Sequence, residues 1–282
     1  MAKVRIVTDS TADLPPGLAS ELGISVVPLQ VAIGSKVYRD GVDLSPDEFY
    51  RMMAASSVLP KTSQPSVGAF EDEYERLCGL TDSILSIHIS SALSGTYGSA
   101  LLARDRFRNR CAIETIDSQL VSMGLGLVAL ACARLARDGA DLKAVANHAR
   151  RMIPNVHILF IVETLDYLQR GGRIGRAQAL VGSLLNIRPV LKIEEGEVRP
   201  VEKVRTRAKA LDRLVEFVEL FTDVDELALV YTTASDEVDF LLRRIEPLVP
   251  RERTIVSQMG PVVGAHTGPG VLGIMVSQGA EG

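Results

Sequence analysis

The chain has 282 residues, 46% of them hydrophobic and 23% charged, with 31 Lys and Arg against 35 Asp and Glu for a formal net charge of −4. This composition excludes a disordered or fibrous protein, and the lack of a basic excess argues against a nucleic-acid binder, whose phosphate affinity rests on clustered Lys and Arg. The three cysteines, Cys78, Cys111 and Cys132, are far apart and odd in number, which fits neither a disulfide framework nor C-x-x-C metal spacing and suits a reducing cytoplasm.

In chain order, MAKVRIVTDS enters a strand directly, without the apolar core of a signal peptide. DLPPGLASELG follows as a helix, ISVVPLQVAI as a strand and SPDEFYRMMAAS as a helix. After a loop come the helix SVGAFEDEYERLC, the strand SILSIHIS, a helix opening at Ser94, the strand CAIETIDS, a long helix over 119–138, and DLKAVANHARRMI. Short β-branched runs alternating with amphipathic segments predict parallel strands joined by crossover helices. The longest apolar stretch, LVSMGLGLVALACARLA, is broken by Ser122 and small residues, and reads as a buried helix rather than a membrane span.

From Val156 the pattern changes. HILFIVE reads as a strand, ETLDYLQRGG and RAQALVGSLL as helices, and RPVLKIEEGEVRPVEKV as two strands joined at Glu194, Glu195, Gly196 and Glu197. A helix ALDRLVEFVELF, a strand ELALVYTT, a helix EVDFLLRRIEPL and the strands RTIVSQMG and GVLGIMVSQ complete the chain. The reading is an α/β protein of two domains, residues 1–155 and 156–282, the second with a mixed sheet.

Ligands of open α/β sheets sit beyond the carboxyl ends of strands, where helix amino termini converge. Three such exits carry unusual polar residues: Thr8, Asp9, Ser10 and Thr11; KTSQPS at 61–66, with Pro65 at a predicted first helical turn; and SSALSGT, with Ser90, Ser91, Ser94 and Thr96. Hydroxyls beside unpaired backbone N–H groups favour an anion. Ser and Thr before helices are also ordinary N-caps, and Asp9 and Ser10 fit that role. Four hydroxyls in one turn exceed what a cap requires.

Neither G-x-x-x-x-G-K-[ST] nor G-x-G-x-x-G occurs at these turns, which removes the standard nucleotide sites. The four histidines, His88, His148, His157 and His266, lack ligand spacing, so no metal is expected, and His88 within a strand reads as a packing residue. A serine esterase or acyl-transfer enzyme built on Ser94 and His266 stays open, although the turn departs from the G-x-S-x-G elbow and no acid to orient the histidine is evident.

DSTADL, TSQPS, SSALSGTYGSA, ETLDYLQRGGRIGRA and AHTGPGVLGI, in this order across essentially the whole chain, closely resemble the DegV family, the fatty-acid-binding proteins that serve as FakB-type subunits of bacterial fatty acid kinase. The resemblance implies an N-terminal three-layer α/β/α domain with a parallel sheet and a C-terminal two-layer domain with a mixed, largely antiparallel sheet. It implies a long-chain fatty acid held between them as ligand, without cofactor or catalytic residues. A separate ATP-dependent kinase would convert the presented carboxylate to an acyl phosphate for phospholipid metabolism. By the same resemblance Thr62, Ser63, Ser94 and His266 are head-group residues, with Gly95 and Thr96 as backbone donors. Uncharged donors of this kind bind a carboxylate without a buried counter-ion, where a fixed arginine would form a stronger pair.

The acyl chain needs an apolar lining, for which Ile33, Leu165, Leu168, Leu180, Leu184, Leu185 and Ile187 are candidates, although leucines at helical spacing equally suit an ordinary core. Arg170, Arg173, Arg176 and Arg188, then Lys203, Arg205, Arg207 and Lys209, form two basic runs. Such runs are commonly solvated faces. The resemblance implies that basic residues near the GGRIG segment meet the kinase, and on that ground Arg173 and Arg205 are the docking candidates.

Overall fold

The computed structural model describes residues 4–56, 58–181 and 187–279. Strand β1 (Val4–Asp9) ends in a 3-10 turn at Ser10–Ala12 that Asp9 caps by accepting from Thr11 N. Helix α1 (Pro16–Glu21) then leads to β2 (Ser25–Val27). ISVVPLQVAI is not one strand. Pro28 has no N–H for a ladder, so the chain leaves the parallel sheet after Val27, and β3 (Gln30–Ile33) turns back on β4 (Lys36–Arg39) as an antiparallel hairpin.

Helix α2 (Pro46–Ala55) opens with a capping box between Ser45 and Glu48. Strand β5 (Lys61–Ser63) pairs antiparallel with β3, giving a small sheet of order β4-β3-β5 that the strand-helix alternation did not foretell. Pro65 lies before the next helix rather than in its first turn: α3 (Val67–Cys78) starts after Ser66, whose hydroxyl accepts from Ala69 N.

Strand β6 (Ser83–His88), helix α4 (Thr96–Arg104), strand β7 (Ala112–Asp117) and helices α5 (Met123–Arg137) and α6 (Leu142–Met152) follow. The long helix starts at Met123, not near residue 119, because Gln119 and Ser122 take left-handed φ of 54° and 55°. Strands β2-β1-β6-β7 form an entirely parallel sheet. Phe70, Tyr74, Ala100 and Ala103 of α3 and α4 cover one face, meeting Val7 and Ile84; Leu127, Val128, Val145 and Ala149 of α5 and α6 cover the other, meeting Ile6 and Leu85.

Strand β8 (Val156–Ile161) and helix α7 (Asp166–Arg170) precede a 3-10 segment at Gly175–Leu180. Strands β9 (Arg188–Glu194) and β10 (Glu197–Val204) pair across Glu195 and Gly196, both at positive φ, in the tight hairpin that the sequence announces. Helix α8 (Arg207–Glu219), strand β11 (Val224–Tyr231), helix α9 (Ser235–Ile245), strand β12 (Thr254–Gln258), helix α10 (Pro261–Thr267) and strand β13 (Leu272–Gln278) complete the fold. The six-stranded sheet runs β10-β9-β8-β13-β11-β12, antiparallel except for β11 and β12.

Helices α8 and α9 pack on one face of that sheet through Leu211, Leu214, Val238 and Leu241. Its other face, with Ile158, Phe160, Val230 and Met275, shares a core with α5. Helix α5 is apolar nearly all round because it lies between two sheets, with buried residues along most of its length. Gly124 fits this close approach: a Cβ there would sit 2.5 Å from Ile158 Cδ1.

Candidate functional site

Between the two sheets lies a cavity of about 450 Å³ lined at one end by Thr62, Ser63, Gln64, Ser94, Arg173 and His266. Four segments far apart in sequence meet here. Strand β5 carries Thr62 and Ser63, the turn after β6 carries Ser94, the turn after α7 carries Arg173, and the last turn of α10 carries His266. The remaining wall is largely apolar and includes Ile89, Val121, Ile158, Phe160, Leu168 and Met275. Ile158 and Ile193, cross-strand partners on β8 and β9, also line a second cleft of about 1050 Å³ behind them.

Thr62 Oγ1 is 2.7 Å from His266 Nε2. The other ring nitrogen, Nδ1, is buried without a hydrogen-bond partner. It faces Gly171, where a Cβ would come within 2.2 Å of it. Burial, and secondarily the nearby Arg173 guanidinium, push the imidazole down to about 4, so the ring is neutral at physiological pH.

Ser94 Oγ is 2.8 Å from Thr96 Oγ1 and accepts from Thr96 N at 3.3 Å. The hydroxyl on the imidazole is therefore Thr62 and not Ser94, and the Ser94–His266 hydrogen bond of an esterase is not made among the described residues. Gly95 and Thr96 stand outside the lining: Gly95 is the N-cap of α4, and Thr96 is buried in its first turn. Gly95 serves by having no side chain, because a Cβ there would be 2.0 Å from Gln64 Oε1. The Gln64 amide, itself lining the cavity, crosses this bare backbone to donate to Ser99 Oγ at 3.0 Å. Ser63 Oγ donates to Gln30 on β3 at 3.3 Å.

Arg173 is the site residue whose position the sequence left unread. Its Nε donates to Leu93 O at 3.0 Å and its Nη1 to Gly171 O at 2.8 Å, which fixes a cation at the cavity wall. The recognisable signal was GGRIG, whose glycine allows the close approach to His266. Arg205 is exposed between β10 and α8, away from this cavity.

Of the acyl-lining candidates, Leu168 lines the cavity. Leu165 is wholly buried in the shared core and Leu180 packs against that core, while Ile33 packs with Leu29, Val31 and Phe49 in a separate cluster. Ile187 is half-buried outside the lining, and Leu184 and Leu185 lie outside the described residues. The apolar wall comes instead from β8, β9, β10, β13 and α10 together with connecting segments such as those of Leu29, Ile89 and Val121; strand alternation marks inward faces without marking which of them meet a void.

His88 is a satisfied core residue, bonded to Asp9 Oδ2 and Ser86 Oγ. The three cysteines are free thiols. Among the described residues no group of His, Cys, Asp and Glu could hold a metal, and no helix is long and apolar enough to cross a membrane.

A family model described as "Uncharacterised protein, DegV family" matches residues 3–279. The chain belongs to the DegV family. A DegV domain-containing protein of Halalkalibacterium halodurans is 39% identical over 281 residues, covering 97% of this chain and 98% of that one. Among solved structures, a DegV family protein of Thermus thermophilus described for fatty acid binding superposes with a TM-score of 0.90 at 36% identity, covering 98% and 99% of the two chains. The DegV protein of Bacillus subtilis, described as a fatty acid binding protein, gives 0.88 at 32% identity over 99% and 100%. The α/β architecture, with one parallel and one largely antiparallel sheet, is that of these DegV proteins.

Proposed function

We propose that this DegV protein binds a long-chain fatty acid with its carboxylate at Thr62, Ser94, Arg173 and His266 and its acyl chain in the apolar cavity between two lobes, residues 1–155 and 156–282. On this reading it is a cytoplasmic carrier that presents the carboxylate to a separate ATP-dependent kinase for acyl-phosphate formation. The observation that carries the binding reading is the pairing of a neutral imidazole and hydroxyl with a fixed guanidinium at one end of a largely apolar cavity.

The chemistry divides between the two ends. Burying an acyl chain gives about 0.8 kcal/mol per methylene, so the apolar wall supplies most of the affinity. The polar end fixes direction. If the neutral ring donates from Nε2 to Thr62 Oγ1, the threonine hydroxyl proton turns to the carboxylate, and Arg173 adds the charge-assisted partner that the hydroxyl pattern had not suggested. The kinase step draws its support from the family resemblance. Because Arg173 lines the cavity, a variant that separates docking from lipid binding must be made at Arg205.

Organic extraction of the purified protein followed by mass spectrometry tests the carrier directly. A stoichiometric long-chain fatty acid is the expected result; an empty protein that also fails to take up added fatty acid would overturn it. Charge reversal at Arg205 should slow acyl-phosphate formation in a reconstituted kinase assay with lipid binding intact, and equal turnover would remove Arg205 from the docking surface.

A further inference from the structure

Asp13 and Asp40 are 6% and 3% exposed, and both meet the amino terminus of α10, the helix whose last turn carries His266. Asp13 Oδ1 accepts from Gly260 N at 2.8 Å and its Oδ2 from the Ser122 hydroxyl at 2.5 Å. Asp40 lies beside Val262 N and the Ser10 hydroxyl, and its Oδ2 is buried with no hydrogen-bond partner. A Cβ on Gly260 would lie 3.1 Å from an oxygen of each acid, so the two carboxyl groups face one another across a bare backbone.

The surroundings supply no cation. Helix α2 presents Tyr50, whose hydroxyl donates to Met259 O and whose own ionisation both acids oppose. The end of β1 presents Asp9, but that carboxylate is already occupied: it accepts from Thr11, from Ile89 N and from His88 of β6. Strand β12 contributes the neutral Ser257, bonded to Asp13 O. Among the described residues no Lys, Arg or His pairs with Asp13 or Asp40, and their other acidic neighbour is Asp9.

Two carboxyl groups buried together without a counter-ion cannot both ionise readily, and they titrate as a pair. We propose that Asp13 and Asp40 are a proton-holding pair that couples the protonation of the protein to the grip of α10 on its ligand. The pair stands on its own geometry; the coupling to ligand rests on the proposed fatty-acid site. Desolvation first, then the charges of Asp40 and Asp9, push Asp13 up to about 8; desolvation first, then the charge of Asp9, pushes Asp40 up to about 7. While a proton is held, the two carboxyl groups can lie together against the start of α10 despite their missing counter-ion. When the proton leaves, two anions repel across Gly260 and the start of α10 is displaced, moving Val262, Val263, His266 and Thr267, all of which line the cavity.

The sign follows from the raised values. The neutral acids are favoured in the folded state, so their stabilising effect is complete below the ordinary value of 3.8 and is lost as pH rises through 7 to 8. Thermal midpoints of ligand-free wild type and Asp40→Asn across that range, with oleic acid affinity measured at each pH, test both halves. The ratio of the two proteins' affinities cancels the pH behaviour of oleic acid itself. Wild type should lose thermal stability with rising pH more steeply than the variant, and its affinity relative to the variant should fall on the order of tenfold. Infrared absorption of wild type, independent of any substitution, should show a buried protonated carboxyl at pH 6 that disappears at pH 9. Parallel midpoint curves, or a carboxyl band unchanged between the two pH values, would sink the pair. A constant affinity ratio would sink the coupling. Oleic acid ignored at every pH would sink the coupling together with the fatty-acid reading, while the carboxyl band still reports on the pair.

Discussion

Thr62 Oγ1 lies 2.7 Å from Nε2 of His266, joining a three-residue edge strand in the first half of the chain to a seven-residue helix near its end. Because 204 positions separate the two residues, the contact holds β5 and α10 together as well as polarising the head-group end of the cavity. Replacing Thr62 by Val keeps the shape and leaves Nε2 unpaired. Fatty-acid affinity should fall by about 1–3 kcal/mol by calorimetric titration, the scale of the lost hydrogen bond from the Thr62 hydroxyl to a charged carboxylate. Unchanged affinity would take the couple out of the binding site.

Gly171→Ala tests the position of the imidazole without deleting any polar group. The added methyl would lie 2.2 Å from His266 Nδ1 and 3.0 Å from Tyr167 O. The ring must move, so the variant should lose fatty-acid affinity and about 1–3 kcal/mol of stability, as overpacked sites do. Chemical denaturation read beside ligand titration measures both, and a variant indistinguishable from wild type in both would mean that the ring has slack.

Ser94→Ala removes a hydroxyl that also links to Thr96 in the first turn of α4. Binding should weaken by about 1–3 kcal/mol, the scale of a hydrogen bond to a charged group. The same variant decides against the esterase reading, for which p-nitrophenyl ester turnover would be substantial in wild type and abolished in Ser94→Ala. The carrier reading expects no such turnover in either protein.

His266 predicts an acid-side loss of stability. Burial depresses its imidazole from 6.5 to about 4. The unfolded chain therefore takes up a proton below pH 6.5 that the folded protein refuses until about pH 4. The contribution is intact above that window and lost as pH falls through it, up to about 3 kcal/mol. His266→Gln should flatten this part of the stability profile in urea titrations between pH 6.5 and 4. An identical slope in both proteins would show that the ring is not held neutral.

Ile193 should set how much chain the cavity accepts. With its cross-strand partner Ile158 it lines both the cavity and the larger cleft behind it. Ile193→Ala should shift the co-purifying lipids toward longer chains in mass spectra, at a stability cost below the about 2–5 kcal/mol of a fully buried truncation, because Ile193 is half-buried. An unchanged lipid profile would place the acyl terminus elsewhere.

The sequence by itself determined the element types, because hydrophobic period and turn chemistry are local. The parallel strands of the first half, the apolar character of α5, and the β9–β10 hairpin with Gly196 in its turn were all legible. So were the residue types at Thr62, Ser94 and His266 as a resemblance. Pro28 was visible, yet the chain's departure into a third sheet was not, since a missing N–H forbids one pairing without naming the next. Only the tertiary structure decided which hydroxyl meets the imidazole, that Arg173 faces the cavity, and that Asp13 and Asp40 share one buried corner. These depend on how segments separated by more than a hundred residues approach one another. Burial, charge coupling and the width of a void are properties of that approach, and no local pattern in the chain encodes them.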